Sequence, residues 1–139
     1  MRAAVMGSPI GHSLSPCLHR AAYAAMGLDG WSYEAIECDE AALPATLRRL
    51  RPVRGEAPGD GEHVWAGLSL TMPLKRAVLP LLDTVSGLAV EVGGANTVVF
   101  RDGAAHGDNT DVHGIERALT EAGVPAPRSA TVLGGGATA

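Results

Sequence analysis

Apolar residues along the chain fall into short runs, and the spacing within the runs switches between that of strands and that of helices. Ala3 to Met6 is an apolar run closed by Gly7-Ser8-Pro9, which predicts a buried first strand. Leu18, Ala21, Ala22 and Ala25 then recur at helical spacing. Ser15 suits the N-cap of that helix, Pro16 its first position and Gly27 the residue beyond its end. Trp31 to Glu37 alternates as a second strand. Glu40 to Leu50 places Leu43, Leu47 and Leu50 on one helical face, with Pro44 tolerated because it lies in the first turn. Pro52 to Gly61 holds two prolines and three glycines and reads as a loop.

Val64 to Leu70 predicts a third strand, followed by helical stretches at Leu74 to Leu82 and Asp83 to Val92. Thr97 to Phe100 is a β-branched strand, and Asp102-Gly103 a hairpin turn that returns Ala104 to His106 antiparallel to it. Gly107 to Asp111 leads into a helix with Ile115, Ala118, Leu119 and Ala122 on one face and Gly123 at its end. Pro125-Ala126-Pro127 reads as a linker, and Ala130 to Leu133 as a strand running into a glycine turn. Strands alternating with helices predict an α/β fold: a mostly parallel open sheet with helices on both faces and one antiparallel hairpin.

Composition narrows the partners more than the fold. The 139 residues suit one core, and with two Trp, two Tyr and one Phe that core must be aliphatic. A formal net charge of −4 argues against a nucleic-acid or anionic membrane surface, both of which draw on excess basic residues. Cys17 and Cys38 are expected to be reduced and buried, and the start Met1 to Ser8 lacks the apolar region of a leader, so a cytoplasmic location is expected. Neither the cysteines nor the histidines fall at zinc-ligand spacing, so no metal is expected.

The candidate chemistry centres on Thr71-Met72-Pro73-Leu74-Lys75, directly after the third strand. Loops at the carboxyl ends of strands are where open α/β sheets bind ligands. A lysine is poorly placed in a first helical turn, where the macrodipole favours negative charge, so Lys75 needs another reason to be there. Ser13/Ser15, Asn96 and Asp108/Asp111 occupy comparable places after apolar runs. Ser15 at a helix start suits an anion or merely caps the helix; Asp111 carries the same two readings, and Asn96 could be a turn residue.

Taken in order, Gly7-Ser8-Pro9-Ile10-Gly11-His12-Ser13-Leu14-Ser15-Pro16, Thr71 to Lys75, Gly94-Ala95-Asn96-Thr97 and Gly107-Asp108-Asn109-Thr110-Asp111 resemble the successive motifs of shikimate dehydrogenase over essentially the whole chain. The resemblance implies that Ser13 and Ser15 hold the substrate carboxylate and that Thr71, Asn96 and Asp111 bind its hydroxyls. It makes Lys75 the acid/base residue beside Asp111. The family's usual Asn two residues before the threonine is here Ser69. Gly134-Gly135-Gly136-Ala137-Thr138-Ala139 fits G-x-G-x-x-A after a strand, and the resemblance makes Gly134, Gly135, Gly136 and Ala137 the start of the NADP loop.

Residues 1–124 are then the shikimate-binding domain. Residues 125–139 are the linker, first strand and glycine turn of a Rossmann-type NADP domain. The resemblance implies reversible NADP-dependent reduction of 3-dehydroshikimate to shikimate, in chorismate and aromatic amino acid biosynthesis, with the 139-residue chain inactive alone. The alternatives are a quinate/shikimate dehydrogenase and a non-catalytic binding module for a hydroxylated cyclic carboxylate. Unpaired strand edges at Ala130 to Leu133 predict self-association through the tail.

Overall fold

The computed structural model describes residues 1–53, 55, 64–124 and 126–136. The loop expected over Pro52 to Gly61 lies largely outside the described residues. The strands are β1 (Arg2–Gly7), β2 (Ser32–Glu37), β3 (Trp65–Leu70), β4 (Thr84–Val85), β5 (Thr97–Arg101) and β6 (Ala104–Asp108). The helices are α1 (Ser15–Ala25), α2 (Leu43–Leu50), α3 (Leu74–Ala77), α4 (Gly87–Glu91) and α5 (Asp111–Glu121). One six-stranded sheet runs in the order β2-β1-β3-β5-β6-β4. β1 is parallel to β2 and β3, and β4 to β6, whereas β5 runs antiparallel to both of its neighbours.

Period-two alternation divides the core between the two faces of the sheet. Ala4 and Met6 of β1, with Leu68 and Leu70 of β3, meet Leu43, Leu47 and Leu50 of α2, Leu74 of α3 and Ala89 of α4. Val5 points to the other face, where it joins Ile10 and Tyr33 under Tyr23 of α1. The hairpin turn is as the Asp-Gly pair predicts: Asp102 and Gly103 both take positive φ, 52° and 74°. Gly27 likewise ends α1 at φ 66°.

Four local expectations are corrected. Asp83 to Val92 is not one helix, because Thr84 and Val85 pair with His106 and Gly107 as a parallel edge strand. The helix starts only after Ser86, whose Oγ accepts from Ala89 N at 3.2 Å. Ser15 does not cap α1: the N-cap is Leu14, no side chain caps it, and Ser15 lies inside the first turn. Cys38 is buried, which pushes its thiol pKa up, but Cys17 is exposed. No strand forms over Ala130 to Leu133, where Val132 and Leu133 are 64% and 93% exposed. A strand exists only with a ladder partner, and none is within reach of that segment among the described residues.

Two surfaces remain open. Neither α1 nor α5 buries a residue fully, and the predicted apolar face of α5 leaves Ile115 47% exposed. Among the described residues no helix is long and apolar enough to cross a membrane.

Candidate functional site

The carboxyl ends of β1, β3 and β6 and the start of β5 meet at one edge of the sheet, since Ser69 pairs with Thr97 and Thr97 with Asp108. A cleft of about 530 Å³ opens there. Ser13, Ser15, Thr71, Lys75, Asn96 and Asp111 all line it, so the separate polar clusters of the sequence converge in space. Asp108 does not line it; its carboxylate accepts from Ser86 Oγ at 2.6 Å and from Asn109 N at 2.8 Å.

Glycine allows the close approach that builds this edge. A Cβ on Gly7 would stand 2.5 Å from Thr71 Cγ2 and 2.8 Å from the Met72 carbonyl oxygen, so any side chain there would push Thr71 from its place. Gly7 therefore lets the end of β1 lie against the segment that carries Thr71, and Ser8 N donates to the Met72 carbonyl at 3.0 Å. The loop holding Ser13 is fixed from the other side by Glu37 at the end of β2, whose carboxylate accepts from Ile10 N at 2.9 Å. Hydrogen bonds from Ser8 and then from the Ile10 amide hold the Glu37 pKa below the usual carboxylate value.

On the opposite wall Lys75 Nζ donates to Asp111 Oδ2 at 2.6 Å, with side chains only 15% and 28% exposed. Asn96 Nδ2 donates to the other carboxylate oxygen, Oδ1, at 2.7 Å. Thr110 N donates to Asn96 Oδ1 at 3.0 Å, which fixes the amide orientation. The backbone joins the same groups, since Ala95 N donates to the Lys75 carbonyl at 2.8 Å and Leu70 N to the Asn96 carbonyl at 2.7 Å.

Asp111 is the first residue of α5 and not its N-cap, which is Thr110, and Asn109 anchors the turn before it: Asn109 Oδ1 accepts from Asp111 N at 3.0 Å while its Nδ2 donates to the Gly94 carbonyl at 2.7 Å. Asn109 is 3% exposed and satisfied at both ends of its amide. No local signal in the sequence marks Asn109 as a site residue, nor His12, Thr97 and Thr110 of the cleft lining. His19 could have been found, because it lies one turn after Ser15 on the same helical face.

Gly134, Gly135 and Gly136 do not line the cleft, and Ala137 lies outside the described residues. Nothing stands within 4 Å of where a side-chain carbon would sit on any of the three glycines. Among the described residues, no group of three or more His, Cys, Asp or Glu could hold a metal ion.

Residues 5–98 match the family model of the shikimate dehydrogenase substrate binding domain. The NADP(+) shikimate dehydrogenase of Thermus thermophilus is 41% identical over 136 residues, covering 98% of this chain and 47% of that protein. That of Methanothermobacter thermautotrophicus is 38% identical over 135 residues, covering 97% of this chain and 44% of that protein. The crystal structure of shikimate 5-dehydrogenase from Thermus thermophilus in complex with shikimate superposes with a TM-score of 0.85 at 40% identity, over 99% of this chain and 49% of that one. The chain thus spans about half the length of the curated relatives it matches. A substrate-binding fold matched along nearly its whole length, with a polar cleft at its sheet edge, places this chain in the shikimate dehydrogenase family, as a member of its substrate binding domain.

Proposed function

We propose that this chain is the substrate-binding half of an NADP-dependent shikimate dehydrogenase, which interconverts 3-dehydroshikimate and shikimate. The observation that carries the reading is the Lys75–Asp111 ion pair, held by Asn96 in the same cleft as Ser13 and Ser15. Oxidising a secondary alcohol removes a hydroxyl proton as hydride leaves the carbon, so a group within hydrogen-bond reach must take that proton. Lys75 and Asp111 do so as a unit, the proton passing between the substrate oxygen and the pair. Asn96 and Thr71 hold neighbouring hydroxyls, and Ser13 and Ser15 donate to the carboxylate. A bound dinucleotide would supply or accept the hydride; the residues of this chain handle the proton. Two free thiols, Cys17 and Cys38, suit the reducing cytoplasm in which such a biosynthetic enzyme would work.

Calorimetric titration of the 139-residue chain with shikimate and with quinate tests this. Shikimate should bind saturably and more tightly than quinate, without NADP-dependent turnover, because hydride transfer needs a nicotinamide held against the ring. No shikimate binding at millimolar concentration would count against the reading. Tighter binding of quinate would instead support the quinate/shikimate alternative.

Self-association through the tail belongs to the same proposal, supported by the exposed apolar segment Val132-Leu133 lying outside the sheet. Light scattering should then find a larger species for the intact chain than for one cut after Pro127. Equal sizes would remove the tail from any interface.

A further inference from the structure

Ser69 is the site position at which this chain departs from the resemblance, and the structure gives it an unusual partner. Tyr33 is 2% exposed on β2, on the far side of β1, yet its hydroxyl donates to Ser69 Oγ at 2.8 Å. His19 stacks on the Tyr33 ring with centroids 3.9 Å apart and planes 10° from parallel. Its Nδ1 lies 2.9 Å from the Ser15 carbonyl oxygen, which can only accept, so Nδ1 carries the proton. Ser15, His19 and Ser69 all line the cleft. A chain of partly buried contacts along the cleft thus links the two serines.

We propose that Tyr33 is a positioning residue that turns Ser69 into a hydrogen-bond donor toward the substrate carboxylate. A phenol is a good donor and a poor acceptor, so the Tyr33 proton occupies a lone pair of Ser69 Oγ and leaves the Ser69 proton to point into the cleft. Burial raises the Tyr33 pKa, which keeps that proton in place through the neutral range. Donation into Ser69 also polarises its own O–H, which strengthens the outgoing bond. A group that only accepts is the best match for such a donor. Because Tyr33 and His19 link Ser69 to Ser15, which the reading above assigns with Ser13 to the carboxylate, that group is the carboxylate, whereas the ring hydroxyls find both donor and acceptor at Asn96 and Asp111. The inference rests on the shikimate reading above and adds Tyr33 and Ser69 to it.

The test measures binding of shikimate and of its uncharged methyl ester to the wild-type chain, Tyr33→Phe, Ser69→Ala and the double variant. Loss of a hydrogen bond to a charged group should raise the shikimate Kd about tenfold or more in Ser69→Ala, and loss of its supporting donor about three- to fivefold in Tyr33→Phe. The double variant should match Ser69→Ala, because Tyr33 acts only through Ser69. Methyl ester affinity should fall less, about threefold where the acid loses tenfold, since a bond to a neutral carbonyl is about half as strong as one to a carboxylate. Ser69→Ala alone leaves the buried Tyr33 hydroxyl unpaired and could cost stability, whereas the double variant leaves no orphan and keeps the test open. An unchanged Tyr33→Phe, equal losses for acid and ester, or additive losses in the double variant would each overturn the inference. Failure of the wild-type chain to bind shikimate would overturn the functional reading itself.

Discussion

Replacing Lys75 by alanine in the dehydrogenase proposed above should lower kcat by about 10²- to 10⁴-fold, the usual contribution of a positioned acid/base group, with a smaller change in KM. The geometry explains why the two constants should separate. Lys75 and Asn96 divide the Asp111 carboxylate between them, one oxygen each. Truncating Lys75 leaves Oδ1 held by Asn96 and keeps the cleft shaped by Asn96, Thr71 and the serines, so ground-state contacts largely survive. What is lost is the cation beside the oxygen whose proton moves, an interaction that strengthens as charge develops there. Steady-state kinetics with shikimate and NADP check this. A KM that rises while kcat holds would make Lys75 a binding residue only.

Asn109→Ala should be the most damaging single change to the fold around the site, with an expected loss of about 2–6 kcal/mol in unfolding free energy. The side chain is 3% exposed and bonds the Gly94 carbonyl and the Asp111 amide. Its removal orphans both, at about 1–3 kcal/mol each. It also frees the first residue of α5, so Asp111 no longer meets Lys75 and Asn96 in one geometry, and shikimate affinity should fall with stability. Asn109→Asp is the informative companion, since it keeps the acceptor for Asp111 N but sets a buried carboxylate oxygen against the Gly94 carbonyl, and should cost at least as much. Urea denaturation followed by circular dichroism measures both variants. A loss under about 0.5 kcal/mol for Asn109→Ala would show that water replaces the amide and that Asp111 is positioned by other means.

Legibility of the site in the sequence followed the range of the interactions involved. Ser13, Ser15, Thr71, Lys75, Asn96 and Asp111 were each recognisable as polar residues after apolar runs, because a strand end, a glycine and a hydroxyl residue are local signals. Their mutual distances were not, since 36 residues separate Lys75 from Asp111 and only the sheet brings them to 2.6 Å. The double reading of Asp111 shows the point well. Sequence left it between helix cap and site residue, and the choice was made by where α5 begins: Thr110 takes the N-cap position, and the Asp111 carboxylate goes to Lys75 and Asn96.

Local backbone chemistry was determined by the sequence alone. Gly27 beyond α1, Pro44 in the first turn of α2 and Asp102-Gly103 in the hairpin take the places their φ preferences dictate, because those preferences belong to the residue and not to its surroundings. The alternation of Ala4 and Met6 against Val5 likewise set which side of β1 faces which core, since a strand turns successive side chains to opposite faces whatever it packs on. Tertiary structure decided the rest. Thr84-Val85 became a strand because β6 offered an edge to pair with, whereas Ala130 to Leu133 found none and stayed unpaired. Tyr33 met Ser69 only because β1 separates their strands by one position and both side chains fall on the same face. Hydrogen-bond partners distant in sequence depend on sheet order and register, and neither is written in any local run of residues.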